Sequence, residues 1–399
     1  MVVDGAYPND IRVRKEAESL AENGKKVLVV CPIKKGLLRK ESVNGVDIYR
    51  IGKNYKTWKK GVCDIFESIF NINPFFYFGL TKVFNNYKFD YLHVHDLPLA
   101  STCFLFKKKV KYKLILDLHE NYPEALKTWF LWRKSKMIRL KNRIFMNPKK
   151  WSIKEKKYCE KYDIVVCVVE EMKSKLISKF NIPSEKLVVI SNFEKKSFQN
   201  YFEKFKIQHV IPIDTFSITY VGGFGPHRGL DTCIKAMPKI IERIPNAKLF
   251  LIGKGHRDVE DYLKNLVIEN NIESSVKFIG YKPFEEIPAI MSSSSINVIP
   301  HSSDEHTNNT IPHKLFQIML SKQLLLVSSC KPLKRIVTKY DAGVVFEAGD
   351  FNDFSVKVIS IFEERSSYTA KIENAYNAVM ELGEDWDTES KNLIKLYNN

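Results

Sequence analysis

The chain has 399 residues, 44% of them hydrophobic and 27% charged, with a formal net charge of +17 at pH 7. That length and balance indicate a globular protein of two or three domains and exclude a low-complexity or disordered chain. No apolar run reaches the ~18 residues of a membrane span. The seven cysteines, odd in number and without a Cys-x-x-Cys pair, support neither a disulfide framework nor a thiolate zinc site.

The opening residues, MVVDGAYPND, show no basic region followed by a long apolar one, so no secretion signal is read there and a reducing cytosol is the expected compartment. Apolar periodicity then alternates between helix and strand, which predicts α/β architecture with parallel sheets. Residues 9–23 read as an amphipathic helix stopped by Gly24. Residues 26–31 (KVLVVC) and 46–51 read as strands. YLHVH (91–95) is a strand followed by a helix near 97–109. KLILDL (113–118), IVVCVV (164–169) and 187–190 are further strands.

Residues 126–160 carry twelve Lys/Arg against two Glu. Trp129, Trp132, Leu140 and Ile144 are expected to share one side of a helix, with Arg133, Lys134, Lys136 and Arg139 around them. A basic, aromatic-studded helix suits an anionic membrane interface, each cation near the leaflet contributing roughly 1 kcal/mol. The other reading is a docked surface helix with a solvated basic face. The charge is local: residues 1–200 hold 40 Lys+Arg against 21 Asp+Glu, and the remainder 23 against 25. Without a zinc-finger, KH or RRM signature, no nucleic acid is expected as partner.

A polar, aromatic connector over 193–212 reads as an interdomain hinge. Beyond it, strands are expected at 216–221, 248–252, 276–279, 296–299, 324–328 and 343–346. Helices are expected at 230–244, 259–269, 284–293, 312–320, 333–340, 351–363 and 385–397. Ligands of doubly wound sheets bind at the carboxyl ends of strands, so the turns after Leu118, Val221 and Ile299 are expected to face one cleft.

Gly222-Gly223 follows a strand, and Arg228-Gly229 opens the next helix. The glycines let the backbone approach a ligand, and Arg228 can fork onto phosphate oxygens. The turn Thr307-Asn308-Asn309-Thr310-Ile311-Pro312-His313-Lys314 leads into another helix, with Thr310 as a candidate N-cap and Lys314 and His313 adding charge. Asn309 and Gln317 offer neutral hydrogen bonds. Two such helix starts suggest a diphosphate held by backbone N–H groups and cations. His119, followed by Glu120 and Glu124, stands where protons can be moved near neutral pH. His93 and His95 share a strand face, but no third ligand is spaced for a metal, so none is expected.

These motifs form an ordered series: YPNDIRVRKEAESLAENGKKVLVVCP (7–32), YLHVHDLPLA (91–100), LILDLHENYPEA (114–125), ITYVGGFGPHRGLDTCIKA (218–236), KLFLIGKG (248–255), VKFIGY (276–281), IPHKLFQIMLSKQLLLVSS (311–329) and AGVVFEAGD (342–350). The series resembles the retaining family 4 glycosyltransferases of the GT-B fold, of the bacterial surface-polysaccharide type. The resemblance implies two Rossmann-like domains: 1–195 on the acceptor side, 196–380 binding the nucleotide sugar, and a final helix in 381–399 crossing back with Trp386 and Tyr397. It implies transfer of a sugar from a UDP or GDP type donor, with retention and without metal or other cofactor. The acceptor is expected to be a lipid-linked glycan, and the protein peripheral at the inner face of the cytoplasmic membrane.

By the same resemblance, Gly222, Gly223, Arg228, Gly229, Asn309, Thr310, Ile311, His313, Lys314 and Gln317 hold the donor, and His119 contacts the donor sugar. Arg228 takes the place of the family's phosphate-binding Lys, and Gly223 stands where an Arg is frequent. Asn309 and Gln317 replace the family's usual pair of Glu. A nucleotide-sugar 2-epimerase of the same fold and a non-catalytic partner subunit are the alternative readings.

Overall fold

The computed structural model describes residues 1–52, 57–131, 135–204, 211, 212 and 214–398, without the side chains of 57–60, 130, 131, 136–138, 141, 203 and 204. The α/β class expected from the sequence is what the chain adopts. The chain divides into two compact units. The first comprises Met1–Phe130, Ser135–Ser191 and Ser390–Asn399, and the second includes Asn192–Glu389.

In the first unit the order is α1 (Ile11–Glu22), β1 (Leu28–Pro32), β2 (Lys40–Val43), β3 (Val46–Ile51), α2 (Thr57–Phe70), α3 (Pro74–Asn86), β4 (Phe89–His95), α4 (Leu97–Phe104), β5 (Val110–Leu118), α5 (Tyr122–Leu131), α6 (Lys136–Phe145), α7 (Pro148–Lys161), β6 (Ile164–Cys167), α8 (Glu170–Phe180) and β7 (Leu187–Val189). Strands β4-β5-β6-β7 form one parallel sheet and β1-β3-β2 another, β2 alone running antiparallel. Val2 bridges Val30 and Val94, so one residue links β1 to β4. The β2–β3 hairpin turns at Asn44-Gly45, both with positive φ, as a two-residue hairpin loop demands. The basic stretch is divided among α5, α6 and α7, and Asn147 caps α7 ahead of Pro148.

The second unit continues with α9 (Asn200–Lys204), β8 (Phe216–Val221), α10 (Leu230–Arg243), β9 (Ala247–Ile252), α11 (Arg257–Glu269), β10 (Val276–Gly280), α12 (Ile287–Ser292), β11 (Ile296–Ile299), α13 (Lys314–Leu320), β12 (Leu324–Ser328), α14 (Lys331–Tyr340), β13 (Val344–Phe346), α15 (Phe351–Glu363), α16 (Thr369–Met380) and α17 (Trp386–Lys395). Its six strands are parallel in the order β10-β9-β8-β11-β12-β13. Near-continuous apolar strands such as LLLVS in β12 are buried throughout, as a sheet covered on both faces requires. Ile218, Tyr220, Leu249, Leu251, Val298 and Leu326 form the centre of this core, with Ile234, Met237 and Ile240 of α10 and Phe354 and Val358 of α15.

The division between units falls inside α17. Trp386 is fully buried in the second unit, its N–H bonded to the Glu194 carbonyl. Tyr397 belongs to the first, its ring 5.0 Å from Tyr91. Tyr397 thus lies in the first unit and Trp386 in the second.

Candidate active site

In the second unit the strand order reverses at β8–β11. Strand β8 continues to β9 on one side, while β11, later in the chain, adds to its other side. The carboxyl ends of such a strand pair open a crevice for ligand. Gly222 and Gly223 follow β8 there, and Pro300 and His301 follow β11. Gly222 has φ 142° and Gly229 has φ 64°. A Cβ on Gly229 would lie 1.8 Å from the Pro300 carbonyl oxygen, so only glycine fits this close approach.

Two cations converge at this end of the sheet. Lys314 Nζ donates to the Val221 carbonyl at 3.1 Å and lies 3.7 Å from the centre of the Tyr220 ring. Arg228 Nη1 donates to His301 Nε2 at 2.8 Å. Among the described residues neither cation has a carboxylate partner. Burial, and then the neighbouring Arg228 charge, hold the Lys314 ammonium well below its usual range. Burial followed by Arg228 brings His227 down to about 2, and the same two causes hold His301 well below its ordinary value, so both imidazoles are neutral. The cluster is electropositive and short of an anion.

The predicted polar turn is arranged differently from its sequence reading. Thr307–Asn309 form a short 3-10 turn, and α13 begins only at Lys314, with His313 at its N-cap and no side-chain cap. Thr310 is therefore not the cap. A helix of seven residues has a small dipole, so the attraction for an anion rests on the side-chain charges. Asn309 is buried, its Nδ2 donating to the Glu305 carbonyl at 2.7 Å. Ile311 is buried and accepts at its carbonyl from Asn192 Nδ2 at 2.9 Å. His313 and Thr310 are half-buried, and Gly223 is exposed. Gln317 is buried and donates from Nε2 to Glu194 Oε2 at 2.8 Å. Sequence reasoning missed Glu194, His227 and His301. The one signal for His301 was its place just past the buried strand Ile296–Ile299.

The first unit holds a second constellation around Asp117, at the end of β5 and in register with His95 of β4. Asp117 is completely buried and accepts from Arg12 Nε at 3.0 Å and Nη2 at 2.9 Å. His119 Nε2 lies 3.1 Å from Asp117 Oδ2 and 3.0 Å from His95 Nδ1. On its other side His119 Nδ1 is 3.5 Å from Asp96 Oδ2. Burial works against the charged ring, but Asp96 and then Asp117 overcome it, raising His119 to about 10. Burial pushes Asp117 up, and Arg12 and His119 outweigh it, leaving its carboxyl well below the usual range. Glu16, one turn after Arg12, is pushed well above its range by burial and the Asp117 charge. His119 is thus an imidazolium between two carboxylates. The partners expected from sequence lie elsewhere: Glu124 pairs with Lys127, and Glu120 lines a cavity.

Chain spacing offered no third metal ligand beside His93 and His95, but folding brings Glu16 and Asp117 to them. One ligand atom from each of the four lies within 4.8 Å of the others. Arg12 Nε, 3.0 Å from Glu16 Oε1 as well, already supplies positive charge at that spot.

A cavity of about 250 Å³ adjoins Asp96. Asp4, Asp64, Glu67, Asp96 and Glu120 line it, with Tyr122, Trp129 and Trp151 as aromatic walls. Tyr122 and Trp151 meet edge to face at 4.8 Å, and Glu67 is paired with Lys154 at 2.9 Å. Trp129 lines this cavity and is half-buried. Arg139 is exposed, whereas Trp132, Arg133 and Lys134, and the side chain of Lys136, lie outside the described residues.

Comparison with known proteins agrees with these two units. Residues 11–193 match the family described as Glycosyltransferase Family 4, and residues 202–378 match Glycosyl transferases group 1. The chain is similar to Uncharacterized glycosyltransferase MJ1607 of Methanocaldococcus jannaschii, 26% identical over 71% of this chain and 68% of that one. It is also similar to Phosphatidyl-myo-inositol mannosyltransferase of Mycolicibacterium smegmatis, 20% identical over 47% of this chain and 46% of the other. Among solved structures, sucrose-phosphate synthase from Thermosynechococcus elongatus superposes with a TM-score of 0.74 at 16% identity, covering 99% of this chain and 94% of that one. WaaG, a glycosyltransferase involved in lipopolysaccharide biosynthesis, gives 0.70 at 12%, covering 100% and 99%. Anabaena Alr3699/HepE, solved with UDP and glucose, gives 0.73 at 12%, covering 99% and 98%. The chain belongs to the family 4 glycosyltransferases of the GT-B fold.

Proposed function

We propose that this glycosyltransferase moves a sugar from a nucleotide-diphosphate sugar to a glycan acceptor, with retention at the anomeric carbon and without a metal. The observation that carries the reading is the convergence of Arg228 and Lys314 on the carboxyl end of β8, with no carboxylate partner for either among the described residues. Negative charge develops on the departing diphosphate as the glycosidic bond breaks. Two preorganised cations beside glycine backbone stabilise that charge, and this supplies what a divalent ion supplies in other transferases. UDP or a UDP sugar in the solved Alr3699/HepE structures supports a nucleotide diphosphate as the donor's leaving group.

The donor falls to domain 196–380 and the acceptor to domain 1–195 in this reading. The carboxylates and aromatic walls of the Asp96–Trp151 cavity suit sugar hydroxyls and ring faces, while repelling phosphate. His119 serves as a fixed positive charge beside the sugar, not as a base, since both ring nitrogens face carboxylates. The names of the phosphatidylinositol mannosyltransferase and of WaaG favour a lipid-borne acceptor in surface-glycan synthesis at the inner face of the cytoplasmic membrane.

Calorimetric titration with a panel of UDP and GDP sugars tests the donor site. Binding that disappears in Arg228→Ala supports it; equal affinity of the variant and the parent protein removes the assignment. Turnover that survives a chelator is expected. Turnover of a nucleotide sugar without acceptor, giving its 2-epimer, would favour the epimerase reading instead.

A further inference from the structure

The turn that carries Arg228 runs alongside the turn that follows β11, and the two face each other in opposite senses. The His227 carbonyl accepts from the Ser302 N–H at 3.1 Å and from its hydroxyl at 3.1 Å. Arg228 Nη1 donates to His301 Nε2 at 2.8 Å. Gly229 lies so close to Pro300 that a methyl group on it would come within 1.8 Å of the Pro300 carbonyl oxygen. Residues 227, 228 and 229 thus meet 302, 301 and 300 in turn. The two outer contacts fix the turns on either side of one side-chain pair, Arg228 and His301. Among the described residues the bond to His301 is the only hydrogen bond of the Arg228 side chain, so its remaining N–H donors are left for a ligand.

We propose that His301 is a positioning residue, holding the Arg228 guanidinium in place for the diphosphate before the donor arrives. A long side chain that only its ligand immobilises costs that ligand affinity, and one already held does not. The residue type suits the task, which needs an acceptor that leaves the positive charge of Arg228 intact. Asp or Glu at position 301 would hold the guanidinium more strongly, but would cancel the charge that meets the diphosphate. A neutral imidazole accepts through one ring nitrogen and adds no charge. His301 is 3% exposed, and burial, followed by the Arg228 charge, keeps its ring neutral. With Nε2 accepting, its proton sits on Nδ1. His301 acts through Arg228 and need not touch the donor. The inference rests on the reading of Arg228 as a diphosphate ligand.

Calorimetric titration with UDP and GDP, in a double-mutant cycle on His301 and Arg228, tests it. His301→Leu, which removes the acceptor, weakens binding roughly three- to tenfold, the cost of immobilising one long side chain. His301→Gln, which keeps a neutral acceptor, binds within about twofold of the parent. In the Arg228→Ala background, titrated at higher nucleotide concentration, His301→Leu has no further effect. A merely structural His301 would lower affinity by the same factor in both backgrounds. Nitrogen-15 spectra of the histidine-labelled parent give a second reading that needs no variant to fold: His301 is protonated at Nδ1 and bare at Nε2. The proposal is overturned if His301→Leu binds as the parent does, if His301→Gln binds as weakly as His301→Leu, if the loss persists in the Arg228→Ala background, or if Nε2 carries the proton. Each of those results leaves the donor reading standing. A parent that binds neither nucleotide, or Arg228→Ala binding both as the parent does, removes the donor reading and the role of His301 with it.

Discussion

Gln317 Nε2 donates to Glu194 Oε2 at 2.8 Å, both side chains being buried in the second unit. This contact gives a local reason for an amide at position 317. Two buried carboxylates at that distance cannot both ionise. Gln317→Glu is expected to destabilise the protein by about 2–3 kcal/mol at pH 7. The pair's folded pKa would rise above its unfolded value, so the penalty fades as pH falls and one proton restores the hydrogen bond. Urea unfolding at neutral and mildly acidic pH checks this; a variant as stable as the parent at pH 7 refutes it.

Arg228 and Lys314 are proposed to grip the diphosphate. A hydrogen bond to a charged group contributes about 1.5–3 kcal/mol, so Arg228→Ala should weaken nucleotide-sugar affinity by roughly ten- to hundredfold. His119→Ala should affect ground-state affinity less, because an ion pair to phosphate anchors the donor. Titration calorimetry on both variants measures the difference.

Donor binding should take up a proton. In the protein alone, burial and Arg228 hold Lys314 well below its usual range. A diphosphate dianion alongside favours the ammonium and raises it again. Calorimetry in two buffers of different ionisation enthalpy should show net proton uptake above the lowered Lys314 ionisation and none below it, where the ammonium is already present. Lys314→Met should abolish it. Identical apparent enthalpies in both buffers for the parent would disprove the linkage.

His119 is held charged by Asp96 and Asp117, up to about 10 from its ordinary 6.5. A His with a raised folded pKa contributes stability that is complete below 6.5 and is lost as pH climbs through about 10. The parent should therefore lose melting temperature over that window more steeply than Asp96→Asn does. Imidazole chemical shifts of His119 should titrate at a lower pH in Asp96→Asn. A parent His119 that titrates at its ordinary value refutes the clamp.

Gly229 has a positive φ, and a methyl there meets the Pro300 carbonyl. Gly229→Ala is expected to cost at least about 2 kcal/mol of stability, from left-handed strain plus displacement of the β11 turn. Gly223→Ala, at an exposed glycine whose nearest neighbouring atom would lie 3.8 Å from the new methyl, should be nearly neutral by the same urea assay.

The α/β alternation, the buried strands and the glycine turn with Arg228 were legible in the sequence, because a period of 2 or 3.6 and turn chemistry are local properties. Boundaries moved by a few residues, as at α13, where Thr310 lost the cap to His313. The hairpin partner Lys40–Val43 went unread, although Asn44-Gly45 signals it. Helices α2 and α3 were likewise unread.

The amino-acid order by itself determined the two-unit α/β class, the family, and which turns carry glycine and cation. Only the tertiary structure decided that Arg12 meets Asp117 across 105 residues, that Gln317 meets Glu194 across 123, and that His301 meets Arg228 across 73. It also decided that α2 and α6 turn their apolar sides outward. Charge pairing and burial depend on which elements become neighbours. That is set by the packing of the whole unit, and a local pattern carries no record of it.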